Sequence, residues 1–305
     1  MSPLTIPRTT RYDHLSIRRR TDYSWPDARR LAFCVTTNIE AFAFMTGYGS
    51  DPGRADAPQT QRNYSWRDYG LRVGIWRLFD LADELGIPLS HNMNSLVYTY
   101  APDVPEAIRA RGEEFIGHGR TNAEAGRQVW ESDEARMIAE ATAAFVQHEG
   151  RAPTGWMSPG GGQPSQFTTD LLKEAGYRYI LDWPVDDQPI WLRTRSGPIL
   201  SVPYPIELND MGVAINRRES ADVFADMIVD QFDEMIRQCE AQPLVMNVSV
   251  HPFIFGQPFR LNRLRRALAH CKGHPQAAKV WWTNPGAIAE HCIGLPAGVV
   301  PGSAP

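Results

Sequence analysis

The chain has 305 residues, of which 43% are hydrophobic and 22% are charged, and its formal net charge is −4. These totals are typical of a globular protein with a substantial core. The near balance of 31 basic and 35 acidic residues gives no electrostatic reason to expect nucleic acid or an anionic membrane as a partner.

The cysteines and the amino terminus predict a soluble, cytoplasmic protein. The four cysteines are widely spaced and form no Cys-x-x-Cys pair, as is usual in a reducing compartment: Cys34, Cys239, Cys271 and Cys292. The first residues contain no apolar segment of the kind found in secretory signals. No window reaches the roughly 18 consecutive apolar residues that a membrane span requires.

The first predicted elements are an arm, a strand, a loop and a helix. Residues 1–29 are polar and arginine-containing, and we expect a loosely structured arm. A short apolar run at 30–38 predicts a buried strand. Residues 47–70 are rich in Gly, Pro and charge, which predicts a long loop that covers an active site. The helical spacing of apolar residues at 71–86 predicts a helix that ends at Gly86.

Strands and helices then alternate to the end of the chain. Further strands are predicted at 87–93, 113–119, 152–158, 177–183, 198–204, 243–250 and 278–283. Further helices are predicted at 103–112, 132–149 (with Ser132 as N-cap), 165–176, 219–239, 260–273 and 285–292. This alternation, with no break in composition, predicts a single α/β domain over 30–292 in which a parallel, nearly closed sheet is wrapped by helices. Residues 293–305 are expected to form a flexible tail.

The polar residues at the carboxyl ends of these strands are the candidates for function, because barrel enzymes place their active sites there. Glu40 comes just after the first strand, and His118 and His251 end two others. One carboxylate and two histidines can perform general acid–base hydrolysis. Each also has a structural interpretation: a histidine can cap a strand end, and Glu40 can pair with Arg151.

Five segments, in this order, resemble the polysaccharide deacetylase superfamily: NIEA (38–41), HGRTN (118–122), RAPTG (151–155), DWPVDD (182–187) and SVHP (249–252). The segments YGLRVGIWRL (69–78), GWMSPGG (155–161) and VPYPIELNDM (202–211) are similar to its branch of metal-independent allantoinases. The resemblance covers about 30–291. It implies a distorted (β/α)7-8 barrel and a cytoplasmic homo-oligomer, either a dimer or a tetramer. The implied reaction is hydrolysis of a carbon–nitrogen bond in a small cyclic amide, such as an imide, allantoin or a related ureide.

The chain departs from the superfamily pattern at the metal ligands. Where the pattern has a catalytic acid, a metal-binding acid and His-x-x-x-His, this chain has Glu40, Ala41 and only the first histidine, His118, because the second is replaced by Asn122. A catalytic metal normally takes three protein ligands, and Glu40 and His118 alone would hold a divalent ion weakly. Shifting the register by one residue makes Glu40 the ligand, but it leaves Ile39 at the base position. We therefore expect no cofactor.

The resemblance and the strand ends together assign roles. Glu40 is expected to be the general base, with its pKa adjusted by Arg151, and His251 the general acid, oriented by Asp186 or else Asp187. Expected oxyanion or substrate contacts are Asn38, His91, Asn92, His118, Asn122 and Trp183, although His91 has the alternative of bonding a loop carbonyl. Two other functions stay open: a metal-dependent N-deacetylase of sugars or peptidoglycan, and a non-catalytic homologue that binds small molecules.

Overall fold

Strand β1, Leu31–Ile39, is the central strand of the sheet, and all nine of its residues are buried. Its run of apolar and β-branched residues suits a strand that is covered on both faces. It pairs in parallel with β2 along its second half and with β8 along most of its length. These pairings are seen in a computed structural model of the protein. The model describes residues 6–45, 59–124, 126–162 and 164–303.

The sheet has nine strands in the described ranges and curls into a barrel. After β1 the strands are β2 Leu89–Met93, β3 Glu114–Gly117, β4 Gly155–Trp156, β5 Tyr179–Ile180, β6 Ile190–Leu192, β7 Ile199–Ser201, β8 Leu244–Val250 and β9 Val280–Trp282. Their order is β6-β7-β5-β4-β3-β2-β1-β8, with β9 paired to β1. Among the strands of the described residues, only the β6–β7 pair is antiparallel. The expected distorted barrel of the deacetylase type is confirmed.

Irregular backbone, rather than a regular strand, closes the barrel beside β8. The amide of Ser249 donates to the carbonyl of Leu208 over 2.9 Å, and the amide of Val245 donates to the carbonyl of Asp187 over 2.8 Å. Asn209 forms an isolated parallel bridge with Ser249. The segment at 202–210 that follows β7 therefore joins the two sides of the sheet, and we call it the closing segment.

Eleven α-helices in the described ranges accompany the strands. They are α1 Gln61–Tyr69, α2 Ile75–Leu85, α3 Val97–Tyr100, α4 Asp103–Arg111, α5 Glu131–Glu149, α6 Pro159–Gly162, α7 Thr168–Glu174, α8 Ala221–Gln238, α9 Pro252–Phe255, α10 Pro258–Gly273 and α11 Pro285–Ile293. The buried residues of α8 include Phe224, Ile228 and Phe232, which lie at i, i+4 and i+8 on one face. No helix of the described residues is both long and apolar enough to cross a lipid bilayer.

Residues 61–85 are helical throughout, with a π-helical turn at Gly70–Gly74 between α1 and α2. The predicted loop at 47–70 is therefore wrong for 61–70, while 46–58 lie outside the described residues. Glycine is required in the π turn because the helix backbone touches the turn after β8. A Cβ added to Gly74 would lie 2.0 Å from the carbonyl oxygen of Pro252. Helix α5 also differs from its prediction, since its N-cap is Trp130 and not Ser132.

Both chain ends pack on the barrel as far as they are described. Trp25 is 1% exposed, and its indole N–H donates to the carbonyl of Leu244 over 3.0 Å. At the other end Val300 is buried, and the amide of Trp191 donates to the carbonyl of Pro301. The expectations of a loose arm and a flexible tail are therefore wrong for these residues, because aromatic burial and backbone hydrogen bonds fix them.

Candidate active site

The carboxylate of Glu40 lies between two imidazoles at one rim of the barrel. Glu40 comes just after β1, His118 just after β3 and His251 just after β8, and parallel strands bring these ends to the same rim. Glu40 Oε1 is 3.6 Å from His118 Nε2 and 3.4 Å from His251 Nε2. All three side chains are buried. The structure thus brings together the three residues that the strand ends predicted.

Asp210 holds His251 through both carboxylate oxygens. One oxygen is 2.6 Å from His251 Nδ1, and the other accepts from the His251 amide over 2.8 Å. Asp210 is fully buried. Burial alone lowers the pKa of His251, but the charges of Asp210 and Glu40 outweigh it and raise that pKa to about 10. His251 therefore carries a proton on each ring nitrogen near neutral pH.

The prediction that Asp186 or Asp187 orients His251 is wrong. Asp186 forms a two-point ion pair with Arg20 of the amino-terminal arm, with oxygens 2.7 and 2.5 Å from the guanidinium nitrogens. Asp186 and Asp187 line a separate cavity of about 610 Å³ between the arm and the barrel. Asp186 is therefore paired with the amino-terminal arm, and the acid that orients His251 is Asp210 of the closing segment.

Glu40 and His118 each present one buried polar atom without a hydrogen-bond partner among the described residues: Glu40 Oε2 and His118 Nε2. The other ring nitrogen of His118, Nδ1, is 2.8 Å from the carbonyl oxygen of Met157. Burial alone would raise the pKa of Glu40, but the interactions with His251, first its charge, and with His118 outweigh burial and hold that pKa below its usual range. Glu40 is therefore ionised near neutral pH.

Arg151 does not reach Glu40, so that prediction is also wrong. Arg151 precedes β4, at the opposite rim, where it is exposed and its charge acts on the half-buried Glu114. The arginine on the Glu40 side is Arg67 of α1, whose guanidinium lies 4.3 Å from the centre of the Phe42 ring. Burial lowers the pKa of Arg67, and the charge of Glu40 opposes that change.

Asn38 lines the cavity in front of Glu40 and is fixed by its neighbours. Its Oδ1 accepts from Asn92 Nδ2 over 2.9 Å and from the Tyr204 hydroxyl over 3.0 Å. Its Nδ2 donates to Ser249 Oγ over 2.9 Å. Asn92 is fully buried and holds the side chain of Asn38 in place. It does not line the cavity, contrary to the prediction.

Three other predicted contacts lie outside the cavity. His91 faces the helices, with its nitrogens 2.6 Å from Thr37 Oγ1 and 2.9 Å from Glu113 Oε2, because alternation along β2 puts Asn92 inside and His91 outside. The indole of Trp183 donates to Thr169. Asn122 holds the backbone, accepting from the Gly160 amide and donating its own amide to Ala41.

The cavity has a volume of about 260 Å³, which suits a small molecule. Its polar lining includes Asp182, which accepts from the amide and the hydroxyl of Ser158, each over 2.8 Å. Burial raises the pKa of Asp182 to about 6, against the hydrogen bonds of Ser158. The apolar lining comprises Met157, Leu181, Pro184, Pro205, Ile206 and Met211.

The side chains present do not fit the metal that the superfamily pattern implies. Among the described residues, no group of three or more His, Cys, Asp or Glu side chains is arranged to hold a metal ion. Ala41 has no ligand atom, and the Oδ1 of Asn122 is already bonded to Gly160.

Several solved structures are similar to this chain over most of its length. PuuE allantoinase is 27% identical, with 88% of this chain and 91% of that chain covered and a TM-score of 0.77. A probable polysaccharide deacetylase from Pseudomonas aeruginosa PAO1 is 26% identical, with coverages of 88% and 92% and a TM-score of 0.76. A putative polysaccharide deacetylase from Mycobacterium smegmatis, 24% identical with coverages of 88% and 92% and a TM-score of 0.74, shares the fold.

Scans against protein-family models and against curated proteins gave no match. The structural similarity nevertheless spans most of this chain and most of each solved relative. The barrel, the strand-end carboxylate and the two histidines are the features that the sequence motifs had pointed to. The chain is thus similar over most of its length to PuuE allantoinase and to a probable polysaccharide deacetylase, which is consistent with the polysaccharide deacetylase superfamily near its allantoinase branch.

Proposed function

We propose that this protein hydrolyses a carbon–nitrogen bond in a small cyclic amide, such as an imide, allantoin or a related ureide, without a metal. The coarser statement, a hydrolase of carbon–nitrogen bonds other than peptide bonds, is supported by the similarity to PuuE allantoinase and to a probable polysaccharide deacetylase. The observation that carries the proposal is the carboxylate of Glu40 between two buried imidazoles, one of them backed by Asp210.

In the proposed reaction Glu40 is the base and His251 is the acid. A water molecule attacks the amide carbon, and a carbon–oxygen bond forms while one water proton passes to Glu40. The carbon–nitrogen bond then breaks as His251 gives its Nε2 proton to the leaving nitrogen. Because the charge of His251 helps to lower the pKa of Glu40, the loss of that charge in the second step raises the pKa of Glu40, which by then holds the water proton.

The cavity supports a small substrate. Its volume of about 260 Å³ and its mixture of apolar walls with Asn38 and Asn209 suit a compact ring with polar edges better than a polymer chain. Asn38 was expected to donate a hydrogen bond to the oxyanion. That role would need a hydrogen of its Nδ2, and in this structure Nδ2 donates to Ser249 instead. The homo-oligomeric state and the cytoplasmic location stay predictions.

A turnover screen tests the proposal. We expect hydrolysis of at least one of allantoin, succinimide, hydantoin and phthalimide, with the same rate before and after treatment with a chelator. Acetate release from an N-acetylglucosamine oligomer that the chelator abolishes would favour the metal-dependent deacetylase instead. Binding of the ring compounds without turnover would favour the non-catalytic homologue.

Glu40→Gln tests the base directly. The variant keeps the shape of the side chain but cannot take a proton, so we expect kcat to fall by about 100- to 10,000-fold. The control is Glu219→Gln, which changes an exposed glutamate and should leave kcat unchanged. Near-wild-type turnover by Glu40→Gln on every substrate that the protein hydrolyses would overturn the assignment.

A further inference from the structure

We propose that His118 is a hydrogen-bond acceptor that, together with Glu40, holds the nucleophilic water, and that it does not donate to the oxyanion. The inference rests on the proposed function for its catalytic meaning. It concerns the two buried atoms without partners, His118 Nε2 and Glu40 Oε2, and it assigns each of them a hydrogen of the same water molecule.

The partner of His118 Nδ1 fixes where the ring hydrogen lies. That nitrogen is 2.8 Å from the carbonyl oxygen of Met157, and a carbonyl can only accept a hydrogen bond. In the neutral ring Nδ1 therefore carries the hydrogen, and Nε2 presents a lone pair. His118 is 2% exposed and follows β3 directly, so the surrounding protein restricts rotation of the ring.

His251 has the opposite character. Its Nδ1 faces the carboxylate of Asp210 over 2.6 Å, and this charge keeps the ring protonated, so Nε2 carries a hydrogen. Both histidines direct Nε2 toward the same Glu40 oxygen, yet one is an acceptor and the other a donor. Different partners of Nδ1, a neutral carbonyl and a carboxylate, therefore separate the roles of two otherwise similar side chains.

His118 and Glu40 do not satisfy each other's hydrogen bonding. Their 3.6 Å contact is too long for a direct hydrogen bond, and in the neutral form of His118 it sets two acceptors face to face. A water that donates one hydrogen to His118 Nε2 and the other to Glu40 Oε2 satisfies both buried atoms. Its lone pairs then point away from both side chains, toward the cavity where the amide carbon would lie.

The proton balance follows from this placement. The hydrogen on the Glu40 side is the one transferred when the carbon–oxygen bond forms, and the leaving nitrogen takes its proton from His251. His118 keeps the remaining hydrogen bond and ends the step unchanged. A hydrogen on His118 Nε2 would remove the lone pair to which the water donates.

Nuclear magnetic resonance of histidine-labelled protein tests the tautomer without any substrate. In a long-range ¹H–¹⁵N spectrum near neutral pH we expect His118 as the neutral ring with hydrogen on Nδ1, and His251 with hydrogens on both nitrogens. His118→Gln assigns the signal by its loss, and His14→Gln, which changes an exposed histidine, serves as the control. A neutral ring with hydrogen on Nε2, or a doubly protonated His118, would overturn the proposal.

The kcat and KM of His118→Gln test the catalytic meaning. The groups that face His118 are Glu40 from β1, His251 from the end of β8 and Asp182 after β5. We expect kcat to fall at least tenfold with little change in KM, because water and not substrate loses its partner. A rise in KM with little change in kcat would instead show that His118 contacts the substrate and would overturn the proposal.

The outcomes separate this inference from the proposed function. If Glu40→Gln is inactive while His118→Gln keeps the wild-type kcat, only the role of His118 is wrong. If the spectrum shows a hydrogen on His118 Nε2, His118 acts as a donor, and the oxyanion role is restored. If Glu40→Gln is fully active, the proposed function itself fails, whatever tautomer His118 has.

Discussion

Asp210→Asn tests what keeps His251 protonated. The wild-type enzyme needs the Nε2 proton of His251, so kcat/KM should decline as the pH rises through about 10. Removing the negative charge of Asp210, which opposes the effect of burial, lowers the pKa of His251. The alkaline decline should therefore move to lower pH by about one to three units, as measured from kcat/KM between pH 6 and 11.

Asp186→Asn is the control for this change. Its acid is paired with Arg20 and has no contact with His251, so the alkaline limb should stay where it is in the wild type. A shift in Asp186→Asn with none in Asp210→Asn would contradict the structural assignment.

At the scale of single residues, the sequence predicted the groups that follow strands directly and missed those that do not. Glu40, His118 and His251 were found because each comes at the end of an apolar run. Asp210 lies on irregular backbone whose path no periodicity encodes, so its contact with His251 could not be deduced from spacing. Arg67 was missed because its polar neighbourhood indicated a loop.

At the scale of elements, Gly74→Ala tests the contact between the helical stretch 61–85 and the turn after β8. An added Cβ would lie 2.0 Å from the Pro252 carbonyl oxygen, so the helix or the turn must move. We expect a loss of about 1–3 kcal/mol in the free energy of unfolding, measured in urea. We also expect a lower kcat, because Pro252 is bonded to His251.

Gly273→Ala is the matched control, since nothing lies within 4 Å of its added Cβ. Its stability should differ little from that of the wild type. Equal stabilities for Gly74→Ala and Gly273→Ala would show that the contact is looser than the structure has it.

The elements best predicted were those with long, regular patterns, such as β1, α8 and β8. Strand β6, Ile190–Leu192, was missed because three residues between turns carry too little alternation, and its antiparallel pairing is set by contacts with β7. Helix α1 was missed because its sequence is polar and its stability comes from tertiary packing, such as Trp66 against Phe253.

At the scale of the whole molecule, Trp25→Ala tests whether the arm is part of the folded barrel. Trp25 is 1% exposed and bonded to Leu244, and removing such a side chain costs about 3–5 kcal/mol. We expect that loss in the free energy of unfolding. Trp130→Ala, at a side chain that is 82% exposed, should change it by less than about 0.5 kcal/mol, and similar losses in both variants would contradict the packing.

The closing segment gives the barrel a built-in safeguard. The backbone that completes the wall at Leu208 and Asn209 also delivers Asp210 to His251. If this wall parts, the imidazole loses its counter-ion and, with it, the reason to keep its extra proton. An opened barrel would therefore lack the proton donor of the proposed reaction, and turnover would require that the closing segment is paired with β8.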